Sequence, residues 1–337
     1  MRKLATIRKI DAVHPIPDAD AIECAVIGGW TVVIKKNEFK AGDLAVYFEI
    51  DSWIPHELAP FLSRGQEPRE FDGVKGERLR TIKLRGQLSQ GLLLPLSILT
   101  NYGADLDIGD DVNSHLAAHL QIKKYEPPIP AQLAGEVRGL FPGYIPKTDQ
   151  ERIQNLNEEY QEWSGLTWEV TEKLEGTSMT VYVTDDDTGV CSRNLNLRET
   201  DTNTLWQVAH RDQIITAIED SGGNLAVQGE LIGEGIQGNI YKLRGQSFYV
   251  FDVYDIKNGR YLTPVERRNF CELNALLHVP VLATDASTPP LDFILHSAEG
   301  KSDLNPLTER EGIVYKCNEK QTSFKAISNK FLLKTGN

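Results

Sequence analysis

Prolines cluster in the middle of this chain, and they limit its fold more than any other feature. Pro127-Pro128, Pro130, Pro142 and Pro146 follow one another closely. Each lacks an amide proton and fixes φ, so the stretch resists both helix and central strand. With 337 residues the chain has room for two ordinary domains. The prolines suggest where they divide: residues 1–105, an ordered linker over 106–145, and residues 146–337.

The part before the prolines is punctuated for β structure. Runs such as Leu44-Ala45-Val46-Tyr47-Phe48-Glu49-Ile50 and Trp30-Thr31-Val32-Val33-Ile34 are rich in β-branched and aromatic residues. Gly28-Gly29, Gly42-Asp43, Gly73 and Gly86 separate such runs. About five strands at this spacing suit a compact barrel, and the nucleic-acid-binding OB-fold is one common form. The part after the prolines is mixed. Residues 149–162 have helical spacing, with Ile153, Leu156 and Tyr160 as the apolar stripe, and residues 204–219 read as another helix. Residues 168–173, 177–183, 225–232, 248–256, 312–317 and 323–327 read as strands. The fold class expected is α+β: an OB-type β-barrel, then a mainly antiparallel sheet domain.

Composition sets limits on function. The hydrophobic fraction of 40% and charged fraction of 25% are those of a protein that buries a real core. No apolar run approaches the roughly 20 residues that span a bilayer. Met1-Arg2-Lys3-Leu4-Ala5-Thr6-Ile7-Arg8 lacks the apolar stretch and cleavage site of a signal peptide, so the chain reads as intracellular. Cys24, Cys191, Cys271 and Cys317 lie far apart, which favours reduced thiols over a zinc site or disulfide framework. His115 and His119 could share a helix face, but no third ligand accompanies them. The net charge of −12 argues against coating nucleic acid with the whole surface. Two basic islands interrupt it. Arg78, Arg80, Lys83 and Arg85 come without an acid between them, and five lysines oppose one glutamate from Lys316 to Lys334. Such islands suit guided contact with a polyanion, although a solvated face would look the same.

The chemistry concentrates in Thr171-Glu172-Lys173-Leu174-Glu175-Gly176-Thr177-Ser178. A lysine at a strand end is followed by a turn whose glycine allows close backbone approach. A lone KxxG is a weak signal, and its downstream company strengthens it: Ser192-Arg193-Asn194, Gly229-Glu230-Leu231-Ile232-Gly233, Phe248-Tyr249-Val250-Phe251-Asp252, Glu311-Gly312-Ile313-Val314-Tyr315-Lys316 and Phe324-Lys325-Ala326-Ile327. Taken singly, each has a structural reading. Phe251 alternates with Tyr249 and Val253 as a core residue would, and lysines often guard a sheet edge.

In that order, over residues 145–330, the set resembles the covalent nucleotidyltransferase superfamily of ATP-dependent ligases and capping enzymes. The resemblance implies that Lys173 is the nucleophile that takes AMP. It implies an ATP site of Arg193, Glu230, Phe251, Lys316 and Lys325, with Phe251 stacked on adenine. It also implies Mg²⁺ or Mn²⁺ held by Glu311, Glu230 and Glu175. The amine attacks only when neutral, and its ordinary pKa is about 10.4. Burial, Lys316, Lys325 and a bound cation would each disfavour the ammonium.

Architecture narrows the choice. Relatives that are DNA ligases or capping enzymes carry an OB module after the last motif, whereas here a β-rich module comes first. This looks like the RNA ligases with an N-terminal OB-type domain, which seal nicks in duplexes having an RNA 3′-OH strand. Lys147 also joins the ATP phosphates in that family. One departure is Ile327, where many relatives have a second lysine. The expectation is an ATP-dependent RNA ligase working in RNA repair on RNA or an RNA-containing nicked duplex. Arg78, Arg80, Lys83 and Arg85 are then the candidate nucleic-acid contacts. A DNA ligase or capping-type enzyme, and a non-catalytic RNA-binding relative, are the alternatives.

Overall fold

A computed structural model describes residues 3–101, 112–126 and 135–335. It divides into two compact units, residues 1–128 with 332–337 and residues 129–331.

In the first unit the strand Leu44–Phe48 is the central element. It pairs antiparallel with Ala5–Lys9 on one side and Leu92–Pro95 on the other. Strand geometry sends alternate side chains to opposite faces. Ala45 and Tyr47 accordingly pack with Ile27, Trp30 and Val32, while Val46 and Phe48 join Ile54, Leu79 and Leu94. This double burial explains why the run reads as continuously apolar. Meander Ala12–Pro15, Ile22–Ile27 and Trp30–Lys35 adds a second sheet, and Ser52–Pro55 joins a third.

Part of the segment expected as linker is built into these units. The helix Val112–His119 contributes Leu116 to the first core, and Lys123–Lys124 pairs with Trp53 and Ser52. The strand Val137–Leu140 pairs with Leu195–Leu197 in the second unit. Pro127, Pro128 and Pro130 lie outside the described residues. His115 and His119 are both exposed, and the four cysteines are buried free thiols.

The second unit holds two sheets. Seven antiparallel strands run in the order Val137–Leu140, Leu195–Leu197, Thr188–Cys191, Thr177–Val183, Leu225–Gly233, Gln246–Asp255 and Arg260–Tyr261. Five more run in the order Glu151–Arg152, Ser323–Ile327, Gly312–Cys317, Thr167–Lys173 and Val281–Ser287, with only the first pair parallel. The helices Thr204–Arg211, Ile214–Asp220 and Pro264–Leu273 cover one face of the large sheet, over a core including Val181, Val227 and Val253. Trp163, Trp168, Tyr315 and Phe324 fill the outer face of the smaller sheet. Thr171, Lys173, Val314, Lys316 and Lys325 fall on its opposite face by alternation.

Two helix expectations change. Residues 149–162 form a short strand, a 3-10 turn at Ile153–Asn155 and a helix only over Asn157–Gln161. Ile153, Leu156 and Tyr160 still pack together in the core; parallel pairing with Phe324 and Lys325 overrides the helical pattern. Residues 204–219 break at Gln213, whose φ of 55° ends one helix before the next begins.

Candidate active site

Lys173 is the last residue of the strand Thr167–Lys173, directly opposite Gly312. That register brings Glu311 alongside, and Lys173 Nζ donates to Glu311 Oε1 at 2.7 Å. The chain then turns through Gly176, where a Cβ would meet the Leu231 carbonyl at 2.3 Å and Ile232 Cγ2 at 2.7 Å. Only glycine lets the turn lie this close to the neighbouring strand. Glu175 N–H donates to the Tyr241 hydroxyl at 2.7 Å, and Ser178 stands opposite Glu230. Lys173 is thus ringed by Glu175, Glu230 and Glu311.

The charges in this ring change the expectation for the lysine. Burial pulls the ammonium pKa down, but Glu311, Glu230 and Glu175 outweigh it and hold it above the ordinary value. Lys173 is therefore held as an ammonium, not as the free amine expected from neighbouring cations. The carboxyls shift the other way. Burial, with the neighbouring carboxylates, pushes Glu230 up to about 8 and Glu175 up to about 7. Lys173 partly opposes both shifts.

Glu311 Oε2 is buried and has no hydrogen-bond partner. An orphaned carboxylate oxygen beside two further carboxyls is a donor set that suits a hard cation. Among the described residues no three His, Cys, Asp or Glu side chains form a ready-made metal cage. The set therefore fits a magnesium-type ion that keeps several waters, not one wrapped by protein.

Phe251 owes its position to a β-bulge. The pairing of Leu225–Gly233 with Gln246–Asp255 slips between Gln228 and Gly229, leaving Phe251 without a partner. The slip re-aims side chains. Val250 and Val253 enter the main core, while Phe251 packs with Leu174, Ile232 and Tyr241 beside the lysine turn. The alternation that made Phe251 look like a core residue does not survive the bulge. Lys316 does not stand free to grip phosphate. It contacts Asp252, donates to the Phe251 carbonyl at 2.5 Å and lies 5.7 Å from the Phe251 ring centre. Burial brings its pKa down to about 8 despite Asp252. Lys325 sits opposite Val314 on the adjacent strand.

A strap over residues 146–149 crosses the large sheet. Gln228 Nε2 donates to the Pro146 carbonyl at 2.9 Å, and Lys147 Nζ donates to Asn194 Oδ1 at 2.9 Å. Arg193 donates to both Asp149 oxygens at 2.8 Å. Lys147 and Arg193, read from distant motifs, are thus neighbours.

The basic island in the first unit is not a single strand. Arg78 ends the strand Val74–Arg78, pairs with Asp51 at 2.6 Å and lies 5.0 Å from the Tyr125 ring centre. Lys83 belongs to a separate hairpin, Thr81–Leu84 with Gln87–Gln90, turned at Arg85-Gly86, both at positive φ. Arg80, Lys83 and Arg85 are exposed.

Sequence reasoning missed Asp252, Arg267 and Glu169, which are buried and charged. An acid inside the apolar run Tyr249-Val250-Phe251-Asp252-Val253 was the available signal, since a buried charge demands a partner.

Comparison with known proteins follows the same division. An OB-fold domain model matches residues 4–96 and an RNA ligase model matches residues 166–329. Module order and site together define a ligase of the covalent nucleotidyltransferase superfamily with an N-terminal OB-fold. Naegleria gruberi RNA ligase with PPi is 49% identical with a TM-score of 0.88, covering 98% of this chain and 98% of that one. A lysine-to-alanine variant of that ligase with ATP and Mn is 48% identical at a TM-score of 0.86, covering 98% of each chain. A glutamate-to-alanine variant with AMP and Mn is 48% identical at a TM-score of 0.87, again over 98% of each chain. No curated protein matches the chain. The chain belongs to the RNA ligase family.

Proposed function

We propose that this chain is an ATP-dependent RNA ligase that seals 3′-OH/5′-phosphate breaks through a lysyl-AMP on Lys173. The observation that carries the reading is the lysine itself, at a strand end beside a Gly176 turn and ringed by three carboxyls. Once its ammonium proton is lost to solvent, the Lys173 amine would attack the α-phosphorus of ATP, forming an N–P bond as pyrophosphate leaves. AMP then passes to the 5′-phosphate of the break, restoring the lysine. Attack by the 3′-OH forms the phosphodiester and expels AMP.

The other residues divide this work. Phe251 offers an aromatic face for adenine, while Arg193, Lys147, Lys325 and a released Lys316 offer cations for phosphate. Preorganised positive charge around a phosphoryl group is the main tool of such transfer. Glu311, Glu230 and Glu175 would hold Mg²⁺ or Mn²⁺, which supplies positive charge to offset that of the phosphates. The first unit would hold RNA, with Arg80, Lys83 and Arg85 as exposed cations, and the preferred break would be a nick with RNA on the 3′-OH side.

Incubation with ATP labelled in the α-phosphate tests the reading. Label bound to wild-type protein and absent from Lys173→Ala supports it, while label on the alanine variant overturns it. Comparing nicked duplexes that carry RNA or DNA at the 3′-OH tests the substrate.

A further inference from the structure

Beside Phe251 and Lys316 lies an ionic cluster whose other members, Arg267, Arg268, Glu169, Asp252 and His278, have no part in the three transfer steps. Arg267, 1% exposed, projects from the helix Pro264–Leu273. Its Nε donates to His278 Nε2 at 2.9 Å, one terminal nitrogen pairs with Glu169, and the other stands 3.7 Å from Asp252 Oδ1. Glu169 also pairs with Arg268, and Asp252 is in contact with Lys316. His278 donates from Nδ1 to the Val279 carbonyl at 2.6 Å, which leaves Nε2 as an acceptor and the ring neutral. Three cations therefore share two carboxylates in this cluster.

The position of Asp252 decides what the surplus cation can do. Its carboxylate is held by Lys316, with Arg267 beyond hydrogen-bond reach but within ion-pair distance. A small turn of the carboxylate brings it onto Arg267. Asp252 then keeps a counter-ion when Lys316 swings away to an anion. Without Arg267, the same swing would strand Asp252 as an uncompensated buried charge. A cavity of about 230 Å³ opens on Asp252, Arg267 and Lys316, with Lys147 and Lys320 also in its wall, so an anionic group has room to enter.

We infer that Arg267 is the stand-by counter-ion of Asp252, a positioning residue that releases Lys316 to grip a nucleotide phosphate. This rests on the reading that Phe251 and Lys316 belong to the nucleotide site. The role explains why a fully buried arginine spans both sheets at this point: it must reach Glu169 on one and Asp252 on the other.

A double-mutant cycle on self-adenylation of the full-length protein tests it, with half-saturating ATP and limiting rate read separately. Arg267→Gln raises the half-saturating ATP concentration about tenfold and leaves the limiting rate within about threefold, as loss of uniform binding does. In an Asp252→Asn background Lys316 has no charged partner to leave, so the same change shifts it less than about twofold. Arg268→Gln, which contacts Glu169 alone in this cluster, leaves it unchanged and controls for general loosening. Additive effects of Arg267→Gln and Asp252→Asn overturn the inference, as does an equal effect from Arg268→Gln. Because Arg267→Gln can unfold the chain, Arg267→Lys is run beside it. The retained charge keeps ATP saturation near wild type, and a tenfold rise there would refute the charge argument. Phe251→Ala and Lys316→Ala separate the two levels of failure. If neither changes ATP saturation, the nucleotide site is elsewhere; if both do and Arg267→Gln does not, only the stand-by role falls.

Discussion

Proton traffic around Lys173 is set by its three carboxyl neighbours. Glu175 and Glu230, raised to about 7 and about 8, still hold protons near neutrality. A divalent cation binding there must displace them, so its apparent affinity should climb between pH 6 and 8 and then level off. Calorimetry in buffers of different ionisation heat would show protons released at pH 6.5; affinity independent of pH would refute the assignment. Stability follows from the same shifts. Both folded-state values lie above the ordinary carboxyl value, so the folded chain binds the extra protons from about pH 4.5 upward. Metal-free stability therefore falls as pH rises toward 8. Lys173, also raised, contributes stability that is lost only at the alkaline end, so it is constant over this window. Melting temperatures at pH 6 and 8, with and without Mg²⁺, check the sign, and added metal should narrow the gap. Lys173→Ala should also separate the steps: self-adenylation is lost, while a pre-adenylated nick is still sealed. Failure on the pre-adenylated substrate would mean the lysine is needed beyond its own adenylation.

Single strands carry candidate site residues on one face and the core on the other, which ties the proposed chemistry to packing. In Ser323–Ile327, Phe324 is fully buried, stacked 4.7 Å from Tyr315 and 5.2 Å from Trp163, while Lys325 falls on the opposite face. Phe324→Ala should cost about 3–5 kcal/mol of stability and weaken ATP saturation by loosening the Lys325 strand. Urea unfolding beside adenylation kinetics checks both, and a stable variant with normal kinetics would uncouple them. This alternation was legible beforehand: the strands at Thr177–Val183, Gly312–Cys317 and Ser323–Ile327 run as their pattern implies. What periodicity hid was irregularity. The bulge at Phe251 inserts one unpaired residue, and Gln213 breaks a helix, yet neither disturbs the apolar spacing from which such elements are read. The ring of Glu175, Glu230 and Glu311 was legible because each flanks a glycine motif. Arg267 and Glu169 were not, because their meaning is a pairing across 98 residues of sequence.

At the level of the whole molecule, a chain of net charge −12 must bind a polyanion at chosen places. Arg80, Lys83 and Arg85 are exposed on or beside one hairpin, whereas Arg78 is engaged with Asp51 and Tyr125. Replacing the three exposed cations by alanine should spare self-adenylation and weaken nick sealing. It should also reduce the salt slope of sealing by roughly 0.9 for each duplex phosphate no longer neutralised. Parallel adenylation and sealing across a salt series decides this; equal loss of both would assign the hairpin to the fold. Arg78→Ala should instead lower stability, because it removes a partly buried ion pair. Dissection of the chain meets a different constraint. The strand Val137–Leu140 supplies the hydrogen-bond partner of Leu195–Leu197, which starts two residues after Arg193. A fragment cut at residue 146, where the prolines end, would unzip that seam and leave a raw sheet edge next to Arg193, open to edge-to-edge association. A free-standing catalytic half has to begin ahead of residue 137, inside what the sequence presents as spacer.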